Sequence, residues 1–161
     1  MKPWKLVALL VVVALPSAAI AFWLGLREGW NVGIMADSIP RGGISLHHIQ
    51  KLSGGTVTRN TMTSLESDVD MALLWAYHLE HHPLRPILNA VWGTEILLNE
   101  TSLRRLADYR KSHPSPLRPE ALAADCSPND EYAKEMGESL LEGAQETRRM
   151  INETVSRYAT R

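Results

Sequence analysis

Residues 6–26, LVALLVVVALPSAAIAFWLGL, run for 21 residues without a charge, directly behind the basic start Met1-Lys2-Pro3-Trp4-Lys5. A helix rises 1.5 Å per residue, so this stretch matches the ~30 Å hydrocarbon core of a bilayer. The chain therefore meets a membrane or a secretion channel before anything else, which constrains its compartment more than its chemistry.

Two readings of the run stand side by side. A cleaved signal peptide accounts for Lys2 and Lys5, the apolar stretch Leu6–Leu15, and the small-x-small site Ala19-Ile20-Ala21 after Pro16 and Ser17. A retained anchor accounts in addition for Phe22, Trp23, Leu24 and Leu26, which prolong the run past that site. It also places Trp4 and Trp23 roughly 28 Å apart, one near each headgroup zone, where amphipathic rings prefer to sit. The anchor reading is the one we carry forward, with secretion after cleavage at Ala21 as its alternative. Lys2 and Lys5 precede the span and only Arg27, beside Glu28, follows it closely. That bias keeps the N-terminus in the cytoplasm and sends the rest of the chain outside. The basic, apolar and alanine-rich style of this start is bacterial in character, so the expected location is an inner membrane with a periplasmic domain.

Ser17, Ala21, Gly25, Gly29 and Gly33 recur every four residues, a small-xxx-small series that lets a second helix approach closely in lipid. Steps of four turn a helix by about 400°, so the row drifts and one straight contact uses at most three consecutive members. Glycine and alanine are also common in membrane helices for no specific purpose, and Gly29 and Gly33, beyond Arg27, could instead seat the chain's own soluble helices. The row is the sequence's strongest pointer to a protein partner or a homo-oligomer.

Past residue 35 the chain holds 14 Lys and Arg against 17 Asp and Glu. A net charge of about −3 argues against nucleic acid as a partner, because binding to phosphates needs a basic surface. The length suits one compact domain. Cys126 is the only cysteine, so no intramolecular disulfide forms and the fold must rest on its core.

Punctuation by proline and glycine separates helical stretches, and no strand pattern competes with them. Ser38 to Gly43 reads as a turn, with a short helix from Ile44 to Leu52. Thr63 and Glu66 have capping-box spacing ahead of Leu65, Val69, Ala72, Ala76 and Leu79, which predicts a helix to about His81. Pro86 opens a further helix with Ile87, Leu88, Val91 and Trp92 on its apolar side. Thr94–Lys111 follows, with Ile96, Leu97, Leu103, Leu106 and Tyr109 for burial. His113-Pro114-Ser115-Pro116-Leu117-Arg118-Pro119 stops any helix. Ser127, Pro128, Asp130 and Glu131 then begin a long helix, predicted over 128–159, with a stripe of Tyr132, Met136, Leu140, Ala144, Thr147, Ile151, Val155 and Tyr158. The expected fold is all-α: a single transmembrane helix, then a small extracytoplasmic domain of three to five helices. The divisions are 1–5 cytoplasmic, 6–26 transmembrane, 27–62 a juxtamembrane segment with a short helix, and 63–161 the helical domain. Its C-terminal helix is expected to pack on Thr63–His81 and Thr94–Lys111.

One cluster could carry chemistry: Tyr77-His78-Leu79-Glu80-His81-His82. His78 and His82 stand four apart, as two imidazoles sharing one zinc or other transition-metal ion do, and His81 is three from His78. His47, His48, Glu95 or Asp108 would have to complete such a site. HLEHH is neither the HExxH nor the HxxEH metalloprotease pattern. The plainer reading is a helix end, where histidines meet the negative pole of the dipole. The sequence holds no nucleophile elbow and no phosphate loop. Its identifiable assets are surfaces, which points to a non-enzymatic interaction or assembly component; the alternatives are a metal-binding domain centred on His78, His81 and His82, and a sensor acting through a separate partner.

Overall fold

The computed structural model describes the backbone of residues 3–52, 58–93, 98–116 and 131–160, and the side chains of all of these except 3–11, 91–92 and 131–134. Among the described residues there are five helices: α1 (Pro3–Leu52), α2 (Arg59–Glu80), α3 (Arg85–Trp92), α4 (Glu100–Ser112) and α5 (Glu131–Tyr158). No strand occurs among the described residues. The molecule divides into two units, Met1–Ile34 and Met35–Arg161, with α1 contributing to both.

Over residues 12–26 the helix of the first unit is apolar all round. Val12, Val13, Leu15, Ile20, Phe22 and Leu26 are all exposed. A helix apolar on every side has no aqueous face, and α1 is the one helix among the described residues long and apolar enough to cross a membrane. Pro16 lies inside it without ending it. The neighbouring Ser17 hydroxyl donates to the Val13 carbonyl at 2.8 Å, which adds a bond where proline has removed a donor.

The second unit is a bundle. Its core comes from Ile39, Leu46 and Ile49 of α1, Val69, Ala72, Leu73, Ala76 and Leu79 of α2, Leu103, Leu106 and Ala107 of α4, and Ala144 and Ile151 of α5. Helix α5 packs against both α2 and α4, as the stripes predict.

The turn predicted at Ser38–Gly43 is absent, because α1 continues through it to Leu52. Ile39, Gly42, Leu46 and Ile49 are buried at alternating steps of three and four, so unbroken helix puts one face into the core. Burying that face outweighs the one backbone bond lost at Pro40. Gly42 is what the close approach requires. A Cβ there would overlap the Cβ of Ala72 and come within 3.2 Å of the Asp68 carbonyl oxygen. Beside it the buried Ser45 hydroxyl donates to Asp68 Oδ2 at 2.7 Å.

Other boundaries move for local reasons. Helix α2 starts at Arg59, capped by Thr58, whose hydroxyl oxygen accepts from the Thr61 amide at 3.4 Å. Thr63 therefore lies inside the helix, its hydroxyl donating to Arg59 O, and makes no capping box with Glu66. Helix α3 ends where Gly93 takes φ 78°, a backbone setting that favours glycine. Helix α4 begins only at Glu100, because Asn99 caps it by accepting from the Ser102 amide at 3.0 Å. The expected α5 stripe is buried at Ala144 and Ile151 but not at its start, where Met136 is 44% and Leu140 46% exposed. Steps of four turn the stripe by about 40° each, and Gly137, one residue on, is buried instead. Ile87 of α3, expected inside, is also exposed. Ile96, Leu97, Cys126 and the predicted cap at Ser127 lie outside the described residues.

Two glycine substitutions should separate close packing from simple helix propensity. Gly42→Ala must push α1 away from α2 and should cost about 1–3 kcal/mol. Gly143→Ala in α5 meets nothing within 4 Å and should stabilise by about 0.5–1 kcal/mol. Denaturant unfolding of the full chain in detergent reads both, and equal effects would refute the close-packing account.

Candidate functional site

The histidine cluster sits at the C-terminal end of α2, but the helix stops at Glu80, with His81 as its capping residue. His82 is therefore not carried on the helical face that holds His78, so the four-residue spacing does not converge the two rings by helix geometry. His81 Nδ1 lies 2.8 Å from Tyr77 O. A carbonyl only accepts, so this nitrogen carries the proton and closes the last turn. His82 Nδ1 accepts from the Leu84 amide at 3.2 Å. Each of these two rings thus spends one nitrogen on backbone at the turn into α3.

Aromatic contacts take up much of the remaining surface. His81 stacks on Tyr77 with centroids 4.1 Å apart, and His78 lies 5.5 Å from the Trp75 ring and 5.8 Å, edge-on, from Tyr77. From α5, Arg149 lies over Tyr77 and Glu153 Oε1 comes to 3.9 Å from His81 Nε2. Burial disfavours the charged imidazolium of His78 and lowers its pKa, and the nearby His81 pushes the same way. The residues that would complete a metal site do not gather here in groups. His47 and His48 are exposed on α1, with rings 6.4 Å apart. Asp108 accepts from the Thr160 amide and hydroxyl at 2.7 and 2.6 Å, which lowers its pKa. Glu95 lies outside the described residues. Among the described residues no three His, Cys, Asp or Glu side chains are grouped as a metal site.

The small-residue row is in the first unit. Ser17, Ala21, Gly25, Gly29 and Gly33 are all exposed, and nothing lies within 4 Å of a Cβ placed at any of the three glycines. The row is present on α1 and open along its length.

Sequence reasoning missed the buried charges. Arg110 of α4, its side chain 3% exposed, reaches into α2. It donates from Nη1 to Glu66 Oε2 at 2.9 Å and from Nη2 to Glu66 O at 2.9 Å, while its Nε faces Asp70 Oδ1 at 2.7 Å. Nη1 also donates to the carbonyls of His113 and Pro114. The Ser115 hydroxyl donates to Asp70 Oδ2, and the Tyr109 hydroxyl to Glu66 Oε1 at 3.0 Å. Burial raises the Asp70 pKa above the ordinary carboxylate value, against the pull of Ser115 and Arg110. Burial and the Glu66 carboxylate push the Tyr109 pKa to about 12. A second knot holds the other end of α2. Glu80, its side chain 4% exposed, accepts from Arg157 Nη1 at 2.6 Å and from the Tyr158 hydroxyl, and its carbonyl accepts from Arg85 at 3.1 Å.

These networks join helices. A signal for them was in the sequence. Helix α2 carries Glu66, Asp68, Asp70 and Glu80 with Arg59 its only Lys or Arg, while α4 carries Arg104, Arg105, Arg110 and Lys111. Glu66 and Asp70 are four apart with no cation within reach on their own helix, so their partner has to come from another.

With this geometry established, comparison with protein-family models, curated proteins and solved structures finds no match to the chain.

Arg110→Ala leaves buried Asp70 and half-buried Glu66 without their cation and should cost about 3–5 kcal/mol, read by denaturant unfolding; an effect below about 1 kcal/mol would show that the network does not hold the bundle. His78 gives a pH dependence. Its lowered pKa means that the folded chain binds this proton more weakly than the unfolded chain does. The stability it contributes is complete above the ordinary histidine value of about 6.5 and is lost as pH falls below it. His78→Gln should therefore flatten the decline in thermal midpoint between about pH 7 and pH 5 relative to the parent chain.

Proposed function

We propose that this chain is a single-pass membrane protein, anchored by 6–26 with its N-terminus in the cytoplasm, whose helical bundle serves on the extracytoplasmic side as a non-enzymatic interaction or assembly component. The observation that carries this reading is the contrast between the chain's two parts. The apolar side chains of 12–34 are mostly exposed around the helix, a surface suited to lipid. In the bundle, by contrast, buried Asp70, Glu80 and Arg110 are each engaged by groups of neighbouring helices or connectors. Buried charges spent on one another hold helices together and are not poised for acid–base work.

The open small-residue row supplies the contact surface. In hydrocarbon no hydrophobic drive brings helices together, so association depends on close van der Waals approach at Gly, Ala and Ser. Gly25 and Gly29 are the central members of the row, and the absence of any neighbour within 4 Å leaves them available. A second copy and a different membrane protein are the two classes of partner that such a row accepts.

Gly25→Leu and Gly29→Leu should each reduce crosslinking of the full chain in membranes several-fold, since the bulky side chain holds the backbones apart. Unchanged crosslinking in both variants would remove the row as a contact. Metal analysis of the same preparation tests the metal-binding alternative: stoichiometric zinc, copper or iron that disappears on His78→Ala with His82→Ala would replace the scaffold reading.

A further inference from the structure

The exposed residues at the end of the apolar run and just beyond it are not a random mixture. Trp23, Arg27 and Trp30 are each exposed, the two tryptophans at 61% and 73%. At 100° per residue they fall within about 60° of one another on the face of α1. Ala21, Gly25 and Gly29 lie on the opposite side, about 160–240° round from Trp23. The two tryptophans and the small residues Ala21, Gly25 and Gly29 thus lie on opposite sides of the helix, with exposed Phe22 beside the small residues.

Depth gives the aromatic face its meaning. The apolar run is centred on Pro16. Along an upright helix Trp23, Arg27 and Trp30 stand about 10, 16 and 21 Å from that centre. The hydrocarbon ends about 15 Å from the bilayer midplane and the headgroup layer about 20–22 Å from it. Trp23 is then just inside the hydrocarbon, Arg27 level with the phosphates and Trp30 at the aqueous edge of the headgroups. A tilt of ~20° shortens these heights by only about 6%. The chemistry of each side chain suits its level. An indole presents an apolar ring and one N–H donor, which favours the boundary. A guanidinium makes paired, charge-assisted bonds to phosphate oxygens.

We propose that Trp23, Arg27 and Trp30 form one strip that grips the phospholipid headgroup layer, with Arg27 on lipid phosphate and an indole above and below it. The strip fixes how far the helix rises out of the bilayer and turns the small-residue face away from the headgroups it holds. Its occupant is the glycerophospholipid of the leaflet in which the span ends. This inference rests on the anchored reading above.

The test uses the full chain in phosphatidylcholine vesicles carrying a nitroxide either on the headgroup or at the fifth carbon of an acyl chain, and follows tryptophan fluorescence. Trp30→Phe should lose part of the headgroup-label quenching and none of the acyl-label quenching. Trp23→Phe should lose acyl-label quenching. Arg27→Leu should draw the strip inward, so that acyl-label quenching of the remaining tryptophans rises. Phenylalanine and leucine are compatible with a lipid-exposed helix, so these variants test position more than folding. Retention of the chain through alkaline extraction, with headgroup quenching unchanged in both Trp30→Phe and Arg27→Leu, would overturn the strip while leaving the anchor standing. Release by alkali without quenching from either label would overturn both.

Discussion

A guanidinium buried to within a few per cent of its surface is costly unless it is paired, and the bundle is arranged around that requirement at Arg110. Glu66 answers it twice, through carboxylate and backbone carbonyl, the carbonyls of His113 and Pro114 share Nη1, and Asp70 lies against Nε as an ion pair without the geometry of a hydrogen bond. One residue therefore sets the register of α4 on α2 and fixes where the chain turns after α4. The apolar contacts around it are less particular. Leu73, Leu103 and Leu106 contribute burial of about 1.5–3 kcal/mol each, but leucines tolerate a slip of position that a set of hydrogen bonds does not.

Gly42 and Glu80 extend the same logic to α1 and α5. Gly42 lets α1 approach α2 until the helices are nearly in backbone contact, which leaves no room for a side chain at that level. Glu80 draws Arg157 and Tyr158 of α5 to the end of α2, and the Thr160 bonds to Asp108 carry the chain on to α4. The acidic character of α2 and the basic character of α4 and of the end of α5 are thus a pairing code among the chain's own helices.

Periodicity in the sequence made the core of α2 and the middle of α5 legible, because Val69, Ala72, Ala76, Leu79, Ala144 and Ile151 follow the helical repeat and are all buried. It failed where a local signal competed with a tertiary one. Pro40, Gly42 and Gly43 look like a turn to any rule that reads neighbours only; seen against Ala72 across the interface, Gly42 is a packing position inside a helix. Thr63 and Glu66 have the spacing of a cap, yet Thr58 caps the helix and Glu66 belongs to Arg110. His82 shows the same limit in reverse. Spacing put it on a face with His78, but that inference needs the helix to continue, and His81 ends it by capping Tyr77 O. The open state of the small-residue row could not be read from spacing at all, since only coordinates say what lies within 4 Å of it.

The histidine cluster and the glycine row therefore differ in kind. His82 Nδ1 accepts from backbone, which puts the proton of its neutral ring on Nε2, whereas the His81 Nδ1–H bond to Tyr77 O leaves a lone pair on Nε2, 3.9 Å from Glu153. Gly25, Gly29 and Gly33 have no such prior engagement. The proposed interaction reading therefore rests on the small-residue row, where nothing among the described residues lies within 4 Å of a Cβ at the three glycines.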